Sequence, residues 1–116
     1  MVYRPRRVAL LGARVQLAIT IADVVDISRT GVRIRSSHEW RAGSEWPLVL
    51  ELPAAAPVRL IGRVARCERT DVSLPNSAVV QRQYLLAFTF VDLSTEAATV
   101  LVQVCGTAVE TGERAG

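Results

Sequence analysis

The chain has 116 residues, of which 50% are hydrophobic and 22% charged, a composition that places it with globular proteins and excludes a disordered chain. This length allows one modest core, so we expect one domain. Charged residues interrupt every apolar run before it reaches the roughly 20 residues of a transmembrane helix, and the sequence has no signal-peptide core. We therefore expect a cytoplasmic protein without membrane insertion.

The amino terminus is basic. Arg4, Arg6 and Arg7 stand among the first seven residues, and no acidic residue precedes Asp23. The chain contains no lysine, and the planar guanidinium of arginine suits bidentate contact with phosphate. We interpret residues 1–12 as a basic arm for an anionic partner, with a solvated segment as the alternative.

The first half of the chain has the pattern of β-strands. ARVQLAITI, residues 13–21, alternates loosely, and a β-branched run begins at Val24, so we expect two strands joined at Ala22 and Asp23. A turn at residues 29–31 leads to a strand in which Arg33 and Arg35 are expected to face solvent. The polar stretch that follows, residues 36–47, is predicted to be a loop.

In the second half we expect strands over residues 48–52 and 58–69, with Gly62 as a possible bulge. Residues 70–83 show little periodicity and are predicted to form an exposed, mobile loop. After a strand over residues 84–92, Ser94 is a good N-cap for a helix with apolar residues at helical spacing. The predicted fold is mainly β: a small antiparallel barrel or sandwich with a carboxy-terminal helix.

No constellation for catalysis is visible. The sequence lacks a nucleophile with its base, a carboxylate pair or a metal set at a recognisable spacing. His38 is the only histidine and is expected in a solvated loop, while Cys67 and Cys105 fit no metal or redox motif and are expected to be reduced. We predict no enzyme activity, no metal and no cofactor.

The segment DISRTG, residues 26–31, is the most informative feature. Asp26 and Ser28 are two residues apart, so on a strand they project from the same face, and Gly31 permits a positive φ or close backbone approach. A carboxylate can accept hydrogen bonds from the edge of a guanine ring. The alternative is that Asp26 and Ser28 merely hold a turn.

DISRTG resembles the D/N-x-S-x-x-G motif of PilZ domains, bacterial modules many of which bind cyclic di-GMP. RRVALLGARVQL is similar to that family's opening, and YLLAFTFVDLSTEAATVL is similar to its last strand and helix. The resemblance implies a six-stranded antiparallel β-barrel with a carboxy-terminal helix. It also implies a ligand site whose candidate residues are Arg4, Arg6, Arg7, Asp26, Ser28 and Gly31.

The sequence departs from the family pattern in the arm. The family has R-x-x-x-R, and Arg7 fits its second arginine, but Tyr3 stands at the position of the first. Arg4 or Arg6 would then hold phosphate beside Arg7, while Asp26 accepts from guanine and Ser28 supports the turn. The arm is expected to order on binding, with residues 13–109 forming the PilZ-like domain and 110–116 a frayed tail.

Three hypotheses follow for function. The first is a cyclic di-GMP receptor that signals to a downstream protein, and the second is a degenerate PilZ-like domain that binds a protein partner without nucleotide. General nucleic-acid binding is the weakest, because no aromatic residues are interleaved with the arginines. Trp40 and Trp46 either stack on a base or partner, or pack against the edge of the barrel.

Overall fold

A computed structural model describes residues 7–53, 55–76 and 78–105, together with the backbone of residues 3–5 and 109–111. The elements in chain order are β1 (Tyr3–Pro5), β2 (Arg14–Leu17), β3 (Thr20–Ile27), β4 (Gly31–Ser36), β5 (Glu45–Glu51), β6 (Val58–Ser73), β7 (Val80–Val91), α1 (Thr95–Cys105) and β8 (Val109–Thr111). Six of these strands, β2 to β7, form the barrel, and α1 follows them, which confirms the fold expected from the sequence.

The six strands β2 to β7 close into an antiparallel barrel in the order β2-β3-β4-β7-β6-β5. Alternation along each strand sends every second side chain inward, where the apolar residues meet in one core. The most deeply buried of these are Val15, Leu17, Ile27, Val32, Ile34, Leu48, Leu50, Val64 and Leu86. The outward side chains are therefore the ones available to a ligand.

Helix α1 covers one end of the barrel, as the sequence predicted. The Oγ of Ser94 accepts a hydrogen bond from the backbone N–H of Ala97 at 3.1 Å, which is the geometry of an N-cap. Ala97, Leu101 and Cys105 recur every four residues and are buried against the core. The two cysteines, Cys67 and Cys105, are free.

The connection between β2 and β3 lies earlier than the sequence indicated. The turn is at Ala18 and Ile19, where Ala18 has φ 54° and Ile19 is fully exposed, and not at Ala22 and Asp23. Ala22 is buried in the core and pairs with Val15. The prediction was wrong because this turn contains no glycine, proline or asparagine to mark it.

The predicted loop over residues 70–83 is also wrong. Strands β6 and β7 continue as a two-stranded hairpin with Asp71 opposite Arg82 and Ser73 opposite Val80. Both faces of this extension are mostly exposed, so its sequence lacks the apolar alternation that marks a strand of the barrel. Gly62, the predicted bulge, pairs regularly with Phe90, and the register shift falls between Val64 and Arg66.

Strands β1 and β8 form a separate antiparallel pair in which Arg4 lies opposite Glu110. The sequence did not predict this pairing of the two ends of the chain. The boundaries of the arm (1–12), the domain (13–109) and the tail (110–116) stay predictions, and residues 112–116 lie outside the described part of the structure.

Candidate functional site

The DISRTG segment forms the corner between β3 and β4. The Oγ of Ser28 accepts a hydrogen bond from the N–H of Thr30 at 3.2 Å, and the N–H of Ser28 donates to the carbonyl of Gly31 at 2.8 Å. Ser28 is only 2% exposed. These contacts close a tight corner and make Ser28 a residue that supports the site from beneath.

Position 31 requires a glycine because the backbone of strand β7 approaches it closely, and not because its φ is positive. A Cβ at this position would lie 2.3 Å from the carbonyl oxygen of Phe88 on the neighbouring strand β7. Because backbone atoms cannot swing aside as side chains can, a larger residue would push β4 away from β7. Gly31 thereby sets the position of the corner relative to the rest of the barrel.

Asp26 is the centre of the site. Its side chain is 12% exposed and accepts hydrogen bonds from two arginines. Arg7 donates from Nη1 to Oδ1 at 2.9 Å. Arg33 donates from Nε to Oδ1 at 2.9 Å and to Oδ2 at 3.0 Å, and its Nη2 also donates to Oδ2. One carboxylate thus holds two guanidinium groups at the surface of the barrel.

These contacts determine the ionisation of the site. The hydrogen bond from Arg33 lowers the pKa of Asp26, burial opposes the shift, and the positive charges of Arg33 and Arg7 add to the lowering. The same hydrogen bond raises the pKa of Arg33. Asp26 is therefore ionised and Arg33 protonated at neutral pH.

The last residues of the arm are fixed against β3 by the backbone. Val8 donates its N–H to the carbonyl of Ile27 at 2.8 Å, and Ile27 donates to the carbonyl of Val8 at 2.9 Å. This isolated bridge brings Arg7 to Asp26 across 19 positions of sequence. Arg6 lies outside the described residues, and of Arg4 only the backbone in β1 is described.

Sequence reasoning missed Arg33. It was expected to face solvent, but its side chain is 39% exposed and engages Asp26 directly. The two residues are opposite each other in the β3–β4 pairing, between the turn and a register shift that comes further along, between Val24 and Asp26. An acidic and a basic residue at matching distances from the turn of a hairpin were the available signal.

The two tryptophans form a pair near the amino-terminal end of β5. Their rings are 4.7 Å apart at an interplanar angle of 81°, the edge-to-face geometry that aromatic rings prefer. Trp40 donates to the Oγ of Ser36 at 3.3 Å and Trp46 to the Oγ of Ser44 at 2.8 Å. Both rings also pack against the core, which supports the packing alternative over an exposed stacking platform.

His38 is exposed, as predicted, with its Nδ1 3.1 Å from the Oγ of Ser37. Within residues 7–53, 55–76 and 78–105 no group of three or more His, Cys, Asp or Glu side chains is placed to hold a metal ion. The helix that the structure describes is too short to span a bilayer.

Comparison with known proteins shows the family and the fold of the chain. A family model described as the PilZ domain matches residues 5–107, which include the arm from residue 5 onward, the barrel and the helix. No curated protein matches the sequence at a significant level.

Two solved structures share the fold. The structure of the PilZ domain with c-di-GMP of YcgR from Escherichia coli has a TM-score of 0.68 at 12% identity, covering 88% of this chain and 87% of that one. The Bacillus subtilis inhibitor of motility (MotI/DgrA) has a TM-score of 0.65 at 17% identity over 88% of this chain. The present chain spans about half, 48%, of that protein.

Proposed function

This chain belongs to the PilZ domain family, a family of non-catalytic receptors for cyclic di-GMP, and we propose on that premise that it is itself a cyclic di-GMP receptor. The observation that carries the proposal is the contact between Arg7 and Asp26. It joins the basic arm to the D-x-S-x-x-G corner, so that a phosphate-binding side chain and a guanine-binding side chain meet on one surface.

When the ligand binds, Arg7 and Asp26 exchange their hydrogen bond with each other for hydrogen bonds to the ligand. A phosphate of cyclic di-GMP takes the guanidinium of Arg7, whose side chain is 42% exposed, and Oδ1 of Asp26 then accepts from the guanine edge. Ser28 and Gly31 contribute by holding the corner, and Arg4 and Arg6 remain candidates for additional phosphate contacts. The proposed ordering of the arm on binding starts from an arm in which Val8 is bonded to β3 and Tyr3–Pro5 pair with β8.

The test is isothermal titration of the chain with cyclic di-GMP at moderate salt, with GTP as the control nucleotide. Micromolar or tighter affinity that GTP does not reproduce supports the receptor. Absence of heat, together with an unchanged melting temperature at high ligand concentration, overturns it.

A second candidate is a PilZ domain that binds a protein partner and no nucleotide. Two points favour it: the sequence interpretation sets Tyr3 at the position of the family's first arginine, and the carboxylate of Asp26 is already engaged by two arginines. Losing one bidentate arginine contact costs about 1.5–3 kcal/mol unless a neighbour replaces it. The titration above separates the two candidates, since this one predicts no nucleotide binding.

A further inference from the structure

Strand pairing aligns a row of four side chains across the outer surface of the barrel. Asp26 of β3 lies opposite Arg33 of β4, Arg33 lies opposite Ala87 of β7, and Ala87 lies opposite Arg66 of β6. The methyl group of Ala87 is the smallest side chain in the row and is partly buried. The row therefore forms a shallow shelf with Ala87 as its floor and an arginine on either side.

The two arginines that flank the floor are not equivalent. Arg66 has a side chain 72% exposed and is paired with Glu68 at 3.2 Å, so its charge is largely compensated. Arg33 is less exposed, and two of its nitrogens are fixed on Asp26, which leaves a third nitrogen of a rigid guanidinium unused by that pair; Glu68 also lies near enough to act on its charge. Arg33 is the better-ordered donor for an anion on this shelf.

Arg33 and Arg7 also converge on a common point. Each places a nitrogen 2.9 Å from the same Oδ1 of Asp26, so one phosphate beside that oxygen would lie within reach of both guanidinium groups. A single arginine beside an ionised carboxylate has its charge cancelled, whereas two leave a net positive charge for an anion. Binding of a phosphodiester here therefore depends on the second arginine.

We propose that Arg33 is a phosphate-binding residue of the nucleotide site and supplies from β4 the arginine that Tyr3 removes from the arm. The phosphodiester lies between the guanidinium groups of Arg33 and Arg7, which meet at Oδ1 of Asp26, and Ala87 flanks Arg33 on the other side. This inference rests on the proposed function, and it assigns the specificity for a phosphodiester to a strand of the barrel in addition to the arm.

The experiment measures the affinity of the full chain for cyclic di-GMP in three variants. Arg33→Gln removes the charge, and we expect affinity to fall about 10- to 100-fold. Ala87→Glu leaves the Arg33–Asp26 pair in place but puts a carboxylate on the floor, and we expect a fall of at least about 10-fold. Arg63→Gln breaks the comparable cross-strand pair between Arg63 and Glu45 and should leave affinity unchanged.

Salt dependence distinguishes a phosphate contact from an indirect effect through Asp26. Removing a phosphate contact makes affinity fall less steeply with NaCl concentration, so Arg33→Gln should flatten the dependence seen in the unmodified chain. A slope equal to that of the unmodified chain would contradict a phosphate contact of Arg33. Circular dichroism and melting temperature confirm that each variant is folded.

The outcomes are separable. If the unmodified chain binds and Arg33→Gln and Ala87→Glu both keep its affinity, the role of Arg33 is overturned and the receptor proposal stands. If the unmodified chain binds no cyclic di-GMP, the receptor proposal fails first and Arg33 has no such ligand.

Discussion

Arg33 and Asp26 form a two-point ion pair across neighbouring strands. The Nε of Arg33 lies 2.9 Å from Oδ1 and 3.0 Å from Oδ2 of Asp26, and a second nitrogen of the same guanidinium donates to Oδ2. Arg7 completes the cluster from the arm. The aspartate of the family motif is thereby held in one orientation and kept ionised, with its remaining surface directed toward the outside of the barrel.

Replacing Arg7 with alanine should weaken binding of cyclic di-GMP by about 100-fold, because the variant loses a charged phosphate donor. The fold should melt near the temperature of the unmodified chain, since the backbone bonds of Val8 to Ile27 do not involve the Arg7 side chain. Titration calorimetry and thermal melting check the two effects. The matched control is Arg14→Ala, another arginine paired with a carboxylate, at 3.6 Å from Glu51, which should bind normally.

The ion pairs of Asp26 predict a pH dependence of stability. The hydrogen bond and charge of Arg33 lower the pKa of Asp26 below its usual 3.8, so the ionised form stabilises the folded state. This stabilisation is complete above pH 3.8 and is lost as pH falls through the lower pKa of the folded protein.

The comparison variant is Asp26→Asn, in which the side chain keeps its size and shape but cannot ionise. Urea unfolding at neutral pH should show the unmodified chain to be the more stable, by roughly 1 kcal/mol for a partly exposed pair. The difference between the two proteins should shrink as pH falls below 3.8. A difference that stays constant with pH would mean that ionisation of Asp26 contributes nothing to folding.

Gly31→Ala should destabilise the protein by about 3 kcal/mol, the upper end of the range for overpacking. Its added Cβ would meet the backbone oxygen of Phe88 at 2.3 Å. Gly62→Ala is the control, because its Cβ would meet movable side chains of Leu48 and Phe88 at 2.6 and 2.9 Å. We expect about 1 kcal/mol there. Denaturant unfolding measures both, and equal losses would argue against a backbone clash at Gly31.

The two cysteines should differ in reactivity toward a thiol reagent. Burial raises the pKa of Cys105, which is 5% exposed, so its thiolate is scarce and inaccessible in the folded protein. Cys67 is partly exposed on β6. Native protein should therefore react rapidly at one thiol and at the second only on unfolding.

Cys67→Ser should remove the fast reaction, and Cys105→Ser should leave it in place. Denatured protein, with two reactive thiols, gives the total for comparison. Rapid modification of Cys105 in the native chain would contradict its placement beneath the helix.

The sequence alone determined the features that depend on local pattern. Alternating apolar residues indicated the strands of the barrel, and Ser94 with apolar residues at helical spacing indicated α1, because burial on one face imposes a period of about 2 on a strand and 3.6 on a helix. The segment from Asp26 to Gly31 was likewise visible as a motif. This motif could be recognised because its residues are six consecutive positions of the sequence.

Tertiary structure decided everything that depends on which strands are neighbours. The contact of Arg33 with Asp26 and the place of Ala87 between two arginines were not predicted, because cross-strand partners follow from the order and register of the strands in the closed barrel. The extension of β6 and β7 into solvent was missed since neither face is buried. Local periodicity reports burial, whereas pairing between strands depends on how the whole barrel closes.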